Sequence, residues 1–263
     1  MLVMGDIHGQ IAKLRLALRR AGIVDEQDHW IAGNATMWFL GDFFDRGPDG
    51  IAVVDLVRSL QREAAVAGGR VDALLGNHDI LILAAQRFGT RPSGGPGGTF
   101  LSSWQLNGGV EKDLARLTPD RAAWIRSLPA IALEGNHLLI HADATFYQNY
   151  GRSVEEVKRH IRAILESRDD AEWDLLLDYF SQRRAFQDPL LGPARVGRIL
   201  ALYGGQVLVH GHTPISNFTG CTPESVTAAH SYATGLAINV DGGMYLGGCG
   251  FVAELPELGP AGI

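Results

Sequence analysis

Five short runs of this sequence close on side chains able to hold a metal ion or a phosphate. They are "DIH" (6–8), "GDFFDRG" (41–47), "GNHD" (76–79), "HAD" (141–143) and "HGHT" (210–213). Asp6 and His8 stand two residues apart, and on a strand such positions share a face. An oxygen–nitrogen pair offered together suits a divalent cation. Taken singly, each run has an ordinary reading. An Asp-x-His is commonly a turn or helix cap, Asp42 reads as a turn residue, Asn77 as a helix cap, and His141 as a hydrogen-bonded core histidine. Their weight lies in a common context. Each run follows an apolar, strand-like stretch, and in α/β sheets sites gather at the carboxyl ends of strands.

The elements that must carry these residues follow from hydrophobic period and breakers. "LVM" runs straight into Gly5-Asp6, "TMWFLGD" (36–42) and "VDALLG" (71–76) read as buried strands, and "HLLIHAD" (137–143) and "QVLVHGHT" (206–213) as strands ending in histidines. Ile11, Leu14, Leu18 and Ala21 recur at helical spacing before Gly22, residues 51–67 read as a helix ended by Gly68-Gly69, and 80–88 and 119–127 as further helices. Ser153 and Glu156 form a capping box ahead of an apolar face of Val154, Val157, Ile161 and Leu165, so His160 needs no role beyond that helix. The alternation of strand and helix predicts parallel pairing, and the short strands of 236–255 predict a second, partly antiparallel sheet. Residues 89–98, rich in Gly and Pro, cannot hold a regular element, and 89–109 is read as a mobile loop or cap within one domain over 1–263.

Composition sets outer bounds. The chain has 263 residues, 46% of them hydrophobic, enough for a sizeable core. Its formal charge of −6 disfavours a nucleic-acid polymer as partner. Two cysteines, Cys221 and Cys249, and no signal-like segment before Asp6 predict a reducing cytoplasmic setting, and no run is long enough to span a bilayer.

The ordered set "GDIHG", "GDFFDRG", "GNHD", "HAD" and "HGHT" resembles the motifs of calcineurin-like metallophosphoesterases. "GDxxDRG", with a single metal-binding His in the last motif, resembles their phosphoprotein-phosphatase branch. That branch includes serine/threonine phosphatases, bacterial and phage phosphatases, and symmetrical diadenosine tetraphosphate hydrolases. "WQLNGG" (104–109) is similar to a segment of the bacterial members, and "NVDGGMYLGG" (239–248) to the branch's closing strand. The resemblance implies an α/β fold, a layered β-sandwich of two mixed sheets flanked by helices. It also implies two divalent cations, with manganese expected and iron or zinc as alternatives.

Carried onto this chain, the resemblance assigns Asp6, His8 and Asp42 to the first cation, and Asp42, Asn77, His141 and His212 to the second, with Asp42 bridging. A carboxylate can share two cations, neutral imidazoles suit transition metals, and an amide oxygen adds a ligand without charge. Cations roughly 3.5–4 Å apart can clamp a phosphate and activate water for in-line attack, so no covalent enzyme intermediate is required. His78 would protonate the leaving oxygen, Asp45 would keep that imidazole charged and oriented, and Arg46 would grip phosphate oxygens. A second phosphate-binding arginine is expected in "RRAFQDP" (183–189), as Arg183 rather than Arg184, since Arg195 and Arg198 fall in a helical pattern. The sequence departs from the branch at Asp79, where many relatives have Glu, and at Asp143, where Gly is usual. His210 occupies a non-ligating position, and His29, His137 and His230 lack any partner pattern. The expected substrate is a phosphoprotein carrying phosphoserine, phosphothreonine or phosphotyrosine. The alternatives are diadenosine tetraphosphate and, in a different class, a catalytically silent metal-binding scaffold.

Overall fold

The computed structural model describes residues 1–258. In chain order it runs β1 (Leu2–Met4), α1 (Ile11–Arg20), β2 (Thr36–Phe39), α2 (Gly50–Val66), β3 (Arg70–Ala73), α3 (Asn77–Phe88), α4 (Phe100–Leu106), α5 (Glu111–Arg116), α6 (Pro119–Ser127) and β4 (Ile131–Glu134). It continues with β5 (His137–Ile140), α7 (Val154–Glu166), α8 (Asp170–Phe180), α9 (Gly192–Tyr203), β6 (Val207–His210), α10 (Ile215–Thr219), β7 (His230–Tyr232), β8 (Ala237–Asn239) and β9 (Ala253–Glu254).

Two mixed sheets result, one ordered β3-β2-β1-β9 and the other β4-β5-β6-β8-β7. In the first, β1 pairs parallel with β2, Val3 opposite Trp38, and β2 parallel with β3. In the second, β5, β6 and β8 are parallel, and β4 and β7 are antiparallel edges. Strand alternation decides which side chains fill which layer. Val3, Trp38 and Leu74 from the first sheet meet Ala132, Leu139 and Val209 from the second in one buried cluster between the sheets. Their neighbours Met4, Met37, Phe39, Leu138 and Ile140 point the other way, into the larger core beneath the helices. The strands are buried on both faces, which is why they read as continuous apolar runs rather than alternating ones.

Four local expectations need correction. The tail does not stay in one sheet. β8 extends the second sheet, whereas β9 crosses back and pairs antiparallel with β1, because Ala253 and Leu255 fill the layer between the sheets. The helix expected from residue 80 starts at Asn77, since the Asp79 carboxylate accepts the Gly76 N–H at 2.9 Å and secures the first turn. The stretch 89–109 is loop only through Gly98. Thr99 accepts the Ser102 N–H and starts α4, which ends at Leu106. At α7, Ser153 caps the Glu156 N–H as expected, but the Glu156 carboxylate reaches back to the Arg152 N–H instead of that of Ser153. Among the described residues, no helix is long and apolar enough to cross a membrane.

Candidate active site

All five motif runs leave the carboxyl ends of strands, and the sandwich brings those ends together. Asp6 follows β1, Asp42 follows β2, Asn77 opens α3 after β3, His141 follows β5, and His212 follows β6. Asp6, Asp42, His141 and His212 place ligand-capable atoms within 4.8 Å of one another, and His8, Asp42 and His78 form a second such group. Asp42 belongs to both. Its carboxylate lies 3.5 Å from His8 Nε2 on one side and 3.5 Å from His141 Nε2 on the other. Asp6 Oδ2 is 3.8 Å from His8 Nε2, while its Oδ1 accepts the His212 N–H at 2.8 Å.

The backbone is bent to make this arrangement. His8, Asp42, Asp45, Arg46 and His212 all adopt φ between +49° and +68°, a region that side-chain-bearing residues avoid. Such residues cost about 1–3 kcal/mol each and cluster at functional sites. Asp79 braces the turn, accepting the N–H groups of Asp42, Phe43 and Gly76. Gly76 must be glycine because a Cβ there would lie 2.2 Å from Asp42 Oδ1.

A donor set that suits cations emerges from these contacts. His8 Nδ1 donates to the Phe44 carbonyl and His141 Nδ1 to the Leu40 carbonyl, so each neutral ring turns an Nε2 lone pair inward. His141 Nε2 then faces Asn77 Oδ1 at 3.0 Å as well as Asp42. Lone pairs meeting lone pairs repel in the bare chain, and a cation relieves them. Asp6 Oδ2 and His212 Nε2 are buried without any hydrogen-bond partner. Burial, reinforced by neighbouring positive groups, pushes His8 and His212 well below the ordinary imidazole range, so both present the neutral form that binds metal. Burial alone would raise the Asp42 carboxyl. The ring of His141, His78, His8 and His212 outweighs it and holds the group ionised.

Beside this cluster, His78 Nδ1 donates to Asp45 Oδ2 at 2.7 Å, and the indole of Trp104 donates to Asp45 Oδ1 at 2.8 Å. Arg46 donates to His8 Nε2 at 3.0 Å and His78 Nε2 at 2.8 Å, with its guanidinium over the Tyr245 ring. The expectation that Asp45 keeps His78 charged is not met in this arrangement. Burial takes His78 down to about 3, Arg46 adds to that, and burial raises Asp45 as well. The pairing orients a neutral ring whose Nε2 accepts from Arg46.

The family model for calcineurin-like phosphoesterases matches residues 1–216. The chain belongs to that family. Calcineurin-like phosphoesterases are hydrolases dependent on a dinuclear metal centre. Shewanella-like protein phosphatase 2 of Arabidopsis thaliana is 36% identical over 81 residues, 31% of this chain and 21% of that protein. A symmetrical bis(5'-nucleosyl)-tetraphosphatase of Aromatoleum aromaticum is 28% identical over 199 residues, 73% of this chain and 61% of that protein. Both matches span less than two thirds of the relative's own length. These relatives lie on the phosphoprotein-phosphatase branch of the calcineurin-like family. In fold, the chain is similar to the cold-active protein-tyrosine phosphatase of a psychrophilic Shewanella species, with a TM-score of 0.72 at 22% identity over 95% of this chain and 73% of that one.

The remaining polar residues of this calcineurin-like phosphoesterase divide by their contacts. Asp143 Oδ1 accepts the Thr213 hydroxyl at 2.7 Å and Oδ2 accepts the Arg184 N–H at 2.6 Å, tying the segment after α8 to the end of β5. Arg184 spends its backbone on that anchor at φ +65°, whereas the charge of Arg183 bears on His78, His212 and Asp241. His210 is buried with both ring nitrogens engaged, donating to the Gly211 carbonyl and accepting from the Tyr232 hydroxyl at 2.7 Å. Three contributors escaped the sequence reading. Trp104 holds Asp45, Tyr245 packs edge-on against His8 and under Arg46, and Asp241 stands buried beside Asp6. Trp104 and Asp241 lie in segments already similar to the family, "WQLNGG" and "NVDGGMYLGG", but nothing local to either residue reveals its distant partner.

Proposed function

We propose that this phosphoesterase removes single phosphoryl groups from phosphorylated protein side chains, on serine, threonine or tyrosine, with manganese as its metal. Asp6, His8 and Asp42 would hold one cation and Asp42, Asn77, His141 and His212 the other. When bound, these ions supply Lewis acidity toward phosphoryl oxygens and acidify water. Arg46 and Arg183 bind the phosphate. His8 Nε2 would hold the cation in place of its present donor, Arg46, whose guanidinium would then be available to phosphate oxygens. His78 Nε2, which now accepts from Arg46, would then be open to a proton beside the phosphate charge. Asp45, fixed by Trp104, keeps the ring aimed at the leaving oxygen.

The observation that carries the substrate class is the sparse positive charge. The charges of Arg46 and Arg183 both bear on buried groups of the site. Two guanidinium groups match one phosphate, whereas a polyphosphate chain carries further negative charges. A groove of about 560 Å³, whose wall holds near sequence neighbours of site residues, argues the same way. Its wall includes Leu81, one turn beyond His78, Asn107, next to the Gly108 carbonyl that accepts the Arg46 N–H, and Ser181, two residues before Arg183. The groove is lined by Leu81, Phe100 and Leu177, with Asp174 and Asp178 on its side. Apolar contacts suit a peptide flank, and the carboxylates repel additional phosphates. A larger cavity of about 670 Å³ lies at the opposite, amino-terminal ends of the strands, beside Leu2, Thr36 and His137, away from this chemistry.

The test is a panel of phosphoserine, phosphothreonine and phosphotyrosine peptides beside diadenosine tetraphosphate, on manganese-loaded protein. At least one phosphopeptide class is expected to give the higher kcat/KM. A higher value for the dinucleotide than for every peptide overturns the reading. The loop supplies a second expectation. Ser93, Gly94 and Pro96 line the groove, and the Gly94 N–H is held by Asp174 at 2.6 Å. Shortening residues 92–98 should alter the ranking of peptides while two metal equivalents remain. Loss of metal on that deletion would make the loop a structural support for the site.

A further inference from the structure

We infer that Lys13 is a positioning residue for Arg46, acting through the turn that carries Tyr245. This rests on the reading of Arg46 as a phosphate ligand and adds the device that aims it. Lys13 stands on α1, which starts three residues after His8 and is fixed to the core by Leu14, Ala17 and Leu18. Its Nζ donates to the Met244 carbonyl at 2.7 Å and to the Gly248 carbonyl at 2.9 Å. One ammonium thus holds both sides of the turn Met244–Leu246, whose flanking glycines, Gly243 and Gly247, have φ of +62° and +119°. Glycine backbone is conformationally permissive, and two charge-assisted hydrogen bonds from a packed helix restrict it here.

What the turn presents is the ring of Tyr245. The Arg46 guanidinium lies over it, with Cζ 4.2 Å from the ring centroid, and the His8 ring meets it edge-on at 4.8 Å. Arg46 also donates to His8 Nε2 and His78 Nε2. Those two nitrogens are the contacts given up in the proposed reaction, one to a cation and the other to a proton. The aromatic face is the contact that stays. A planar guanidinium stacked on a ring keeps its fork of N–H donors in a fixed direction, and the attraction of the cation for the ring reinforces it. Arg46 is exposed, and a long exposed side chain gives up rotamer freedom when it must aim at a ligand. A fixed platform meets that cost before the substrate arrives. Lys13 matters because the platform sits on a turn rather than on a strand or helix, and a turn holds a ring only as firmly as it is itself held.

The test measures, on the manganese-loaded full chain, the Kd of inorganic phosphate by titration calorimetry and the KM of p-nitrophenyl phosphate. Lys13→Met keeps the apolar stem and removes the donors. It is expected to raise both constants by about 3- to 30-fold, the range spanned by a guanidinium–ring contact. Lys13→Arg, which can still donate to two carbonyls, should recover most of the loss. The decisive comparison is the same change made in Arg46→Lys, whose compact ammonium has no plane to align. There Lys13→Met should cost less than about twofold. Metal content and thermal unfolding check the site and the fold. If Lys13→Met fails either check, Tyr245→Leu, which removes the platform, is measured in both backgrounds with the same expectation. An equal cost in both backgrounds, or no cost in the first, overturns the role of Lys13 and leaves Arg46 on the phosphate. Constants unchanged by Arg46→Lys alone overturn the phosphate reading of Arg46, and this proposal with it.

Discussion

Asp42→Asn is expected to remove bound metal and hydrolysis together. The Asp42 carboxylate sits between His8 Nε2 and His141 Nε2, at 3.5 Å from each, and belongs to both ligand groups. An amide in its place keeps the volume but loses the negative charge that would balance two cations, and it offers one oxygen where the bridging role uses two. Both cations should therefore leave at once, which no substitution confined to one side of the centre would cause. Loss of Lewis acidity at a phosphoryl centre amounts to several kcal/mol of transition-state stabilisation, or about 10³-fold or more in kcat/KM. The measurement is metal content by elemental analysis alongside turnover. His141→Asn and His8→Asn serve as one-sided comparisons, each expected to retain part of the metal. The bridging role is wrong if Asp42→Asn keeps two equivalents, or if the wild type is fully active with one.

His78→Asn should keep both metals and lose the proton donor. Both ring nitrogens of His78 are engaged outside the proposed ligand set, Nδ1 with Asp45 and Nε2 with Arg46. Turnover of an alkyl phosphate is expected to fall by about 10²–10⁴-fold, the usual contribution of general-acid catalysis. With an aryl phosphate whose phenol is acidic, the leaving group departs without a proton, and the deficit should shrink. Asp45→Asn should show the same leaving-group pattern more weakly, because it disturbs the orientation of the ring and leaves the ring present. Burial takes His78 down to about 3 in the metal-free chain. The metal-free protein should therefore show no ionisation of this ring near neutrality. An equal loss for both leaving groups would instead put His78 in phosphate positioning or metal binding.

The residues that the fold gathers into one cluster were largely legible in one dimension because their motifs are short and each sits at the end of its own strand. A strand that is apolar on both faces announces itself, and the polar residues that stop it lie within a few positions. Asp6, His8, Asp42, Asn77, His141 and His212 could be named from those local patterns together with the resemblance of their order to a family. Local signals also placed α1, α2 and α6 to within a residue or two. They were weaker at boundaries set by side-chain capping, and so α3 began earlier than expected and α4 was hidden inside an apparent loop. What only the tertiary structure decided are the contacts between segments far apart in the chain. Trp104 reaches Asp45 across 59 residues, β9 returns to pair with β1, and Asp241 comes to lie against Gly5, next in the chain to Asp6. The charge on His78 is of the same kind. A neighbouring carboxylate predicts a protonated ring, but burial and the approach of Arg46 reverse that sign, and neither exists until the chain is folded. Local pattern sets which side chains stand at a strand end; the packing of the sheets sets the solvation and the neighbours that determine what those side chains can do.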